Sequence, residues 1–179
     1  LIPSAEDTGI TFKRTDIKDN NLIKANFQNV SSTNLCTVIK NQHGVSISTV
    51  EHLVAALYFT GVDNLEIQIN NSEIPIMDGS AKDFVKIINK AGVKNQTKKR
   101  KYLKISKEVK IHNKNKFINL TPQDQRLKVN YELDYENKII SNQKNIVDLS
   151  SDNLEDIYSS RTFCLYKDIQ KIKEAGLAK

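Results

Sequence analysis

Ser46-Ile47-Ser48-Thr49-Val50-Glu51-His52-Leu53-Val54-Ala55-Ala56-Leu57 is the stretch on which the fold turns. A short strand pattern, Val45-Ser46-Ile47, gives way inside it to a helical one. Ser48 fits an N-cap and Glu51, three places on, completes a capping box, with Gly61 as the stop. At 100° per residue Val50, Leu53, Val54 and Leu57 form one apolar face, while His52, Ala55, Ala56 and Phe59 lie largely opposite. Such a helix is expected to be buried on two sides. His52 should then face a second packed surface and need a partner, because a buried imidazole is costly unless hydrogen-bonded or metal-bound. Glu51 stands beside it in the first turn, where the helix dipole favours an anion.

The pair has two readings. Glu51 can be the third residue of a capping box and His52 a satisfied core histidine, or the two can be a general base and a metal ligand. The spacing is not that of a zincin helix, which needs His-Glu-x-x-His, and position 56 is Ala56. Catalytic zinc takes three protein ligands and one open position. His43, in a turn nine residues earlier, and His112, near a hairpin tip, do not supply them. Residue chemistry alone therefore reaches one candidate ligand and one candidate base.

Working outward, Ile10 to Arg14 and Leu35 to Ile39 read as strands, with Asn41-Gln42-His43-Gly44 as a turn. Asn64-Leu65-Glu66-Ile67-Gln68-Ile69-Asn70 alternates with period two and predicts a half-buried strand. Ser80-Ala81-Lys82-Asp83 repeats the capping logic before a helix lined by Phe84, Val85, Ile87, Ile88 and Ala91 and ended by Gly92. The polar run from Asn95 to Lys101 predicts a linker. Beyond it, Tyr102 to Ile111 and Lys116 to Leu120 read as strands around a loop of residues 112–115. Leu127, Val129, Tyr131 and Leu133 alternate, and a last helix is expected from about Lys167 to Ala175 with Gly176 as its cap. The pattern predicts an α+β protein of two units, residues 1–97 and 98–179.

Composition agrees with a globular chain: 179 residues, 39% hydrophobic and 27% charged, with six Gly and three Pro. The longest apolar run, Leu53 to Phe59, is seven residues, against about 20 for a membrane-spanning helix. No charged-then-apolar signal segment opens the chain. Cys36 and Cys164 stand 128 positions apart, which predicts neither a disulfide framework nor a cysteine zinc cage, and a cytosolic setting. Residues 1–97 carry 9 Lys/Arg against 10 Asp/Glu, and residues 98–179 carry 18 against 11, so the halves are −1 and +7. Only four of the 27 basic residues are Arg and no aromatics interleave the lysines, which argues against nucleic acid as a partner. The chain opens on Leu1 rather than Met and closes on Ala175-Gly176-Leu177-Ala178-Lys179, where a helix should hand over to a further element. An excerpt truncated at both ends is expected.

The longer string, Thr49-Val50-Glu51-His52-Leu53 with Gly61-Val62-Asp63-Asn64-Leu65 and Glu73-Ile74-Pro75-Ile76-Met77-Asp78-Gly79-Ser80-Ala81, closely resembles the zinc-dependent UDP-3-O-acyl-N-acetylglucosamine deacetylase family of lipid A synthesis. The likeness extends through Leu35-Cys36-Thr37, Ser160-Arg161-Thr162-Phe163 and Gly176-Leu177-Ala178, and is weakest between about Lys94 and Asp156. It implies two related two-layer α/β sandwich domains with the active site at their interface, the second domain incomplete here. It also implies hydrolysis of the acetamide of an acylated UDP-N-acetylglucosamine. On the family pattern His52 is a zinc ligand and Glu51 the general base, and Thr162 helps to stabilise the oxyanion. Leu35, Cys36 and Phe163 would lie near the substrate, with Lys116 matching a lysine close to it. The string from Glu73 to Ser80 reads as scaffold: Pro75 sets an extended segment, Gly79 a turn, Ser80 a cap.

The resemblance further implies a second His and an Asp as zinc ligands and a late His acting as acid or electrostatic stabiliser, none of which this chain supplies before Lys179. With one ligand of three, weak zinc binding and no catalysis by the 179 residues alone are expected. The family acts on a soluble UDP head with a lipid tail, which implies a cytoplasmic monomer working near the inner membrane surface. The competing reading is a non-catalytic nucleotide-sugar-binding or interaction module derived from the same fold.

Overall fold

A computed structural model of the chain describes residues 1–124, 127–150 and 152–174, without the Lys171 side chain. Contacts group residues 1–98 with those described from Tyr158 onward, and residues 99–157 form a second unit. The described residues 158–174 therefore lie with the first unit.

In the first unit, β1 (Ile2–Pro3), β2 (Ile10–Arg14), β3 (Leu22–Lys24) and β7 (Leu65–Ile69) make one sheet in the order β1-β7-β2-β3. β4 (Val30–Ser32), β5 (Val38–Lys40) and β6 (Ser46–Ile47) make a second, antiparallel one. β2 and β7 run parallel with Phe12 opposite Ile67, and β3 runs antiparallel with Ile23 opposite Phe12. The period-two reading of β7 holds: Leu65 and Ile67 are buried while Gln68 is exposed. Phe12, Ile23 and Ile47 form the centre of the core. Leu53, Ala56 and Leu57 of α1 (Glu51–Thr60) and Val85 and Ile88 of α2 (Lys82–Ala91) close over it, and the two helices pack on each other.

Several expectations change in detail. The strand read from Leu35 starts at Val38, because Leu35 has φ 67°, which β geometry does not allow. Helix α1 is not buried on both sides: Val54 is 37% and Tyr58 58% exposed, a pair four residues apart on one strip. Gly61 does stop it in the left-handed conformation, φ 73° and ψ 25°, its N–H reaching Leu57 and Tyr58 carbonyls. In α2, Ile87 and Ala91 face outward. Residues 96–98 are not a free linker. Glu6 Oε1 accepts from Thr97 N–H (2.6 Å), Thr97 Oγ1 (2.7 Å) and Lys98 N–H (3.0 Å), and Lys98 Nζ lies 2.9 Å from Asp7.

The second unit holds two antiparallel pairs: β8 (Val109–Asn113) with β9 (Lys116–Leu120), and β10 (Lys128–Asp134) with β11 (Asn142–Asp148). The first strand begins at Val109 rather than Tyr102 and runs through Asn113. The loop shortens to Lys114-Asn115, with Lys114 at φ 54°. His112 stacks on Phe117, 6.0 Å between centroids. All residues of β8 and β9 are exposed, and the buried apolar core of the described residues lies entirely in the first unit.

Two short helices follow: α3 (Leu154–Tyr158) and, after a 3-10 turn at Tyr166–Asp168, α4 (Ile169–Glu174). The expected cap at Gly176 falls outside the described residues. Among them, no helix is long and apolar enough to cross a membrane.

Candidate active site

The capping box expected at the start of α1 does not form. Ser48 Oγ donates instead to the Ser72 carbonyl (3.2 Å), Val50 occupies the cap position in right-handed helical geometry, and no side chain caps the helix. The Glu51 carboxylate is used elsewhere: Oε2 accepts from Thr37 N–H at 3.0 Å, and the Thr37 carbonyl in turn accepts from Val50 N–H at 3.5 Å. The backbone at Thr37 is free to do this because Leu35 turns the chain before β5 begins. Glu51 is thus an aimed carboxylate in the first helical turn, not a cap. Leu35 (58% exposed) and the free, half-buried Cys36 directly precede the residue that holds it.

His52 is half-buried and makes no hydrogen bond among the described residues. Both ring nitrogens remain available, so a lone pair can be offered to a metal. His52 fits a metal as one donor. A full shell is not present: no group of three or more His, Cys, Asp and Glu side chains able to hold an ion occurs among the described residues.

Thr162, within the first unit, is held by its main chain. Its N–H donates to the Gly79 carbonyl (2.8 Å), and Ala81 N–H donates to the Tyr158 carbonyl (3.0 Å), so residues 158–162 run beside 79–81. Tyr158 in turn packs on Phe59 of α1, 6.0 Å between ring centroids. Gly79 sits at φ 84°, and a Cβ there would be 3.6 Å from Thr162 Cγ2. The turn is reinforced by Asp78, which accepts from Ser80 Oγ (2.6 Å) and Ser80 N–H (3.0 Å). The Ser80 hydroxyl holds the Asp78 carboxyl below the ordinary carboxylate range, and the nearby Arg161 charge acts in the same direction. Ser80, fully buried, also accepts from Lys82 N–H at 3.1 Å, so its expected capping role survives one position displaced. Phe163 follows, 51% exposed. Lys116 is the first residue of β9 in the second unit, exposed and opposite Asn113.

Two contributors escaped the sequence. One is Thr37, whose backbone rather than side chain does the work. The other is the pair Thr49–Glu73: Thr49 Oγ1 donates to Glu73 Oε1 at 3.0 Å across 24 residues. No local pattern marks either one.

A family profile described as LpxC, UDP-3-O-acyl N-acetylglycosamine deacetylase, matches residues 1–179. Among curated relatives, the UDP-3-O-acyl-N-acetylglucosamine deacetylase of Nautilia profundicola is 41% identical over 179 residues, covering 99% of this chain and 60% of its own length. The proteins of the same name from Shewanella oneidensis and Actinobacillus pleuropneumoniae serotype 3 are 38% and 36% identical over 181 residues, each covering 99% of this chain and 59% of the relative. The chain therefore spans about 60% of the length of the curated relatives it matches.

Proposed function

The chain belongs to the UDP-3-O-acyl N-acetylglycosamine deacetylase family, and from that premise we propose that it carries one wall of an active site for the deacetylation of UDP-3-O-(3-hydroxyacyl)-N-acetylglucosamine, the committed step of lipid A biosynthesis. Acetate and a free amine would be the products. The observation that carries the reading is the Glu51 carboxylate, held by Thr37 N–H at 3.0 Å beside an imidazole with no hydrogen-bond partner among the described residues.

In this reading Glu51 accepts the proton of the attacking water through Oε1, since Oε2 is occupied by Thr37, and later delivers it to the departing amine. His52 would hold the zinc ion together with a His and an Asp that the described residues do not supply. Bound zinc would contribute Lewis-acid polarisation of the amide carbonyl and of the water. Thr162 would donate its hydroxyl to the developing oxyanion. Leu35, Cys36 and Phe163 would meet the sugar and acyl chain, Leu35 and Phe163 offering exposed apolar surface for a lipid tail. Lys116 would serve the polar end of the substrate. A site at the interface of two sandwich domains, divided near residue 97, and a cytoplasmic monomer working at the inner membrane surface complete the proposal. With a single metal-ligating imidazole, the 179 residues alone would bind zinc weakly and not turn over.

The test is a pair of variants. Deacetylation assayed in the complete enzyme should fall by about 10²–10⁴-fold in Glu51→Gln, and His52→Ala should lower zinc content. Undiminished activity in the first removes Glu51 as base, and unchanged zinc in the second removes His52 as ligand. Nucleotide-sugar binding without deacetylation in the unaltered complete protein would favour the binding-module reading.

A further inference from the structure

The first turn of α1 is gripped from two sides. On one side lies the Thr37 backbone, joined to Val50 N–H and to the Glu51 carboxylate. On the other lies the segment 72–74. Ser48 N–H donates to the Ser72 carbonyl (2.9 Å), Ile74 N–H donates to the Ser48 carbonyl (3.1 Å), and Thr49 Oγ1 donates to Glu73 Oε1. Between the two grips sits Thr49, 5% exposed, with φ 59°. A β-branched residue does not hold the left-handed region by preference, so its surroundings must over-determine it. Here the surroundings are the half-buried Glu73 carboxylate and the flanking backbone bonds. The left-handed Thr49 turns the chain out of β6 so that Val50 and Glu51 both arrive on Thr37. With Thr49 in an extended or right-handed conformation, the direction of the chain after it changes, and Glu51 no longer meets the Thr37 N–H.

We propose that Glu73, acting through Thr49, is the positioning residue that aims the Glu51 carboxylate. This deepens the deacetylase reading and rests on it for the role of Glu51 as base, while the geometric link from Glu73 to Glu51 is measurable without it.

The experiment is hydrogen exchange of single amides in the ¹⁵N-labelled complete enzyme. Glu51→Ala should speed exchange of the Thr37 amide, which identifies the bond. Glu73→Ala and Thr49→Val, the second a β-branched residue without the hydroxyl, should speed Thr37 exchange by about tenfold or more, with Phe12 and Ile67 amides within about twofold of the unaltered chain. Glu73→Gln, which keeps an acceptor, and Thr49→Asn, which tolerates a positive φ and keeps a donor, should restore slow exchange. Unchanged Thr37 exchange in Glu73→Ala overturns the proposal. So does a uniform rise over Thr37, Phe12 and Ile67, which would make Glu73 a general stabiliser. If Glu73→Ala does not fold, equal Thr37 exchange in Thr49→Val and Thr49→Asn overturns it. Failure of the deacetylase reading looks different: Glu51→Gln leaves activity intact, whatever the Thr37 amide does.

Discussion

Glu51 and Thr162 differ in how the chain holds them. Glu51 is held through its own carboxylate on Thr37 N–H, so its chemistry and its position are linked in one group. Thr162 is held through its backbone on Gly79, which leaves the hydroxyl uncommitted to that contact. Thr162→Val should therefore preserve the docking and lower kcat by about 10²–10³-fold if the hydroxyl meets the oxyanion; steady-state kinetics of the complete enzyme read this. Gly79→Ala acts on the opposite variable. The added Cβ has room, but φ 84° is strained for any L side chain, so about 1–2 kcal/mol of stability should be lost. Denaturant unfolding measures that, and an undiminished midpoint would mean the turn relaxes at no cost. Glu51 and His52 were legible as residues. What the sequence left open was whether Glu51 completes a capping box; it bonds instead to the Thr37 backbone N–H, which carries no sequence signature.

At the scale of elements, the sequence was most readable where local and tertiary demands agree. β7 alternates because one face of the sheet is buried, and Gly61 ends α1 because a left-handed residue is required there. Reading failed where a distant partner intervened. Ser48 looked like a cap, but the strip 72–74 took its backbone and hydroxyl, and the helix starts without a side-chain cap. The apolar wheel of α1 also misled, since Val54 and Leu57 looked equivalent by hydropathy while only Leu57 is buried, at 2% exposure against 37%. Truncation separates them. Leu57→Ala should cost about 2–5 kcal/mol in unfolding free energy through the cavity it leaves. Val54→Ala should stay within about 0.5 kcal/mol.

At the scale of the molecule, the two units differ in what holds them. All of the buried apolar cluster among the described residues belongs to the first unit, and the strand pairs of the second expose almost every side chain. Hydrogen exchange should accordingly be slower in β2 and β7 than in β8 to β11. The alternation of residues 127–133 located β10 correctly, yet it could not say that so little of the strand would be buried. Acid stability should follow the carboxylates of the first unit. Asp78, Asp16 and Glu6 are each held below their ordinary values, chiefly by the Ser80 hydroxyl, the Arg14 guanidinium and the Thr97 hydroxyl respectively. The unfolded chain therefore binds protons more readily than the folded one. Their contribution is complete above the unfolded value of about 4 and is lost as pH falls through the lower folded values. Melting temperature should be flat from pH 7 to about 5 and decline below about 4, with a shallower decline in Asp78→Asn.

The parallel pairing of β2 with β7 has a consequence for the order in which the chain acquires its parts. Thr15 bonds to Ile69 across 54 positions, and Leu35, Thr37, Thr49 and Glu51 all lie inside the loop which that pairing closes. Helix α1 can nucleate early from local contacts, but its carboxylate cannot be aimed until the crossover has closed and brought residues 72–74 alongside Ser48. Placement of the Glu51 carboxylate and closure of the central sheet are then a single slow event, so a chain stalled before closure would carry a formed helix whose first-turn carboxylate is not yet oriented.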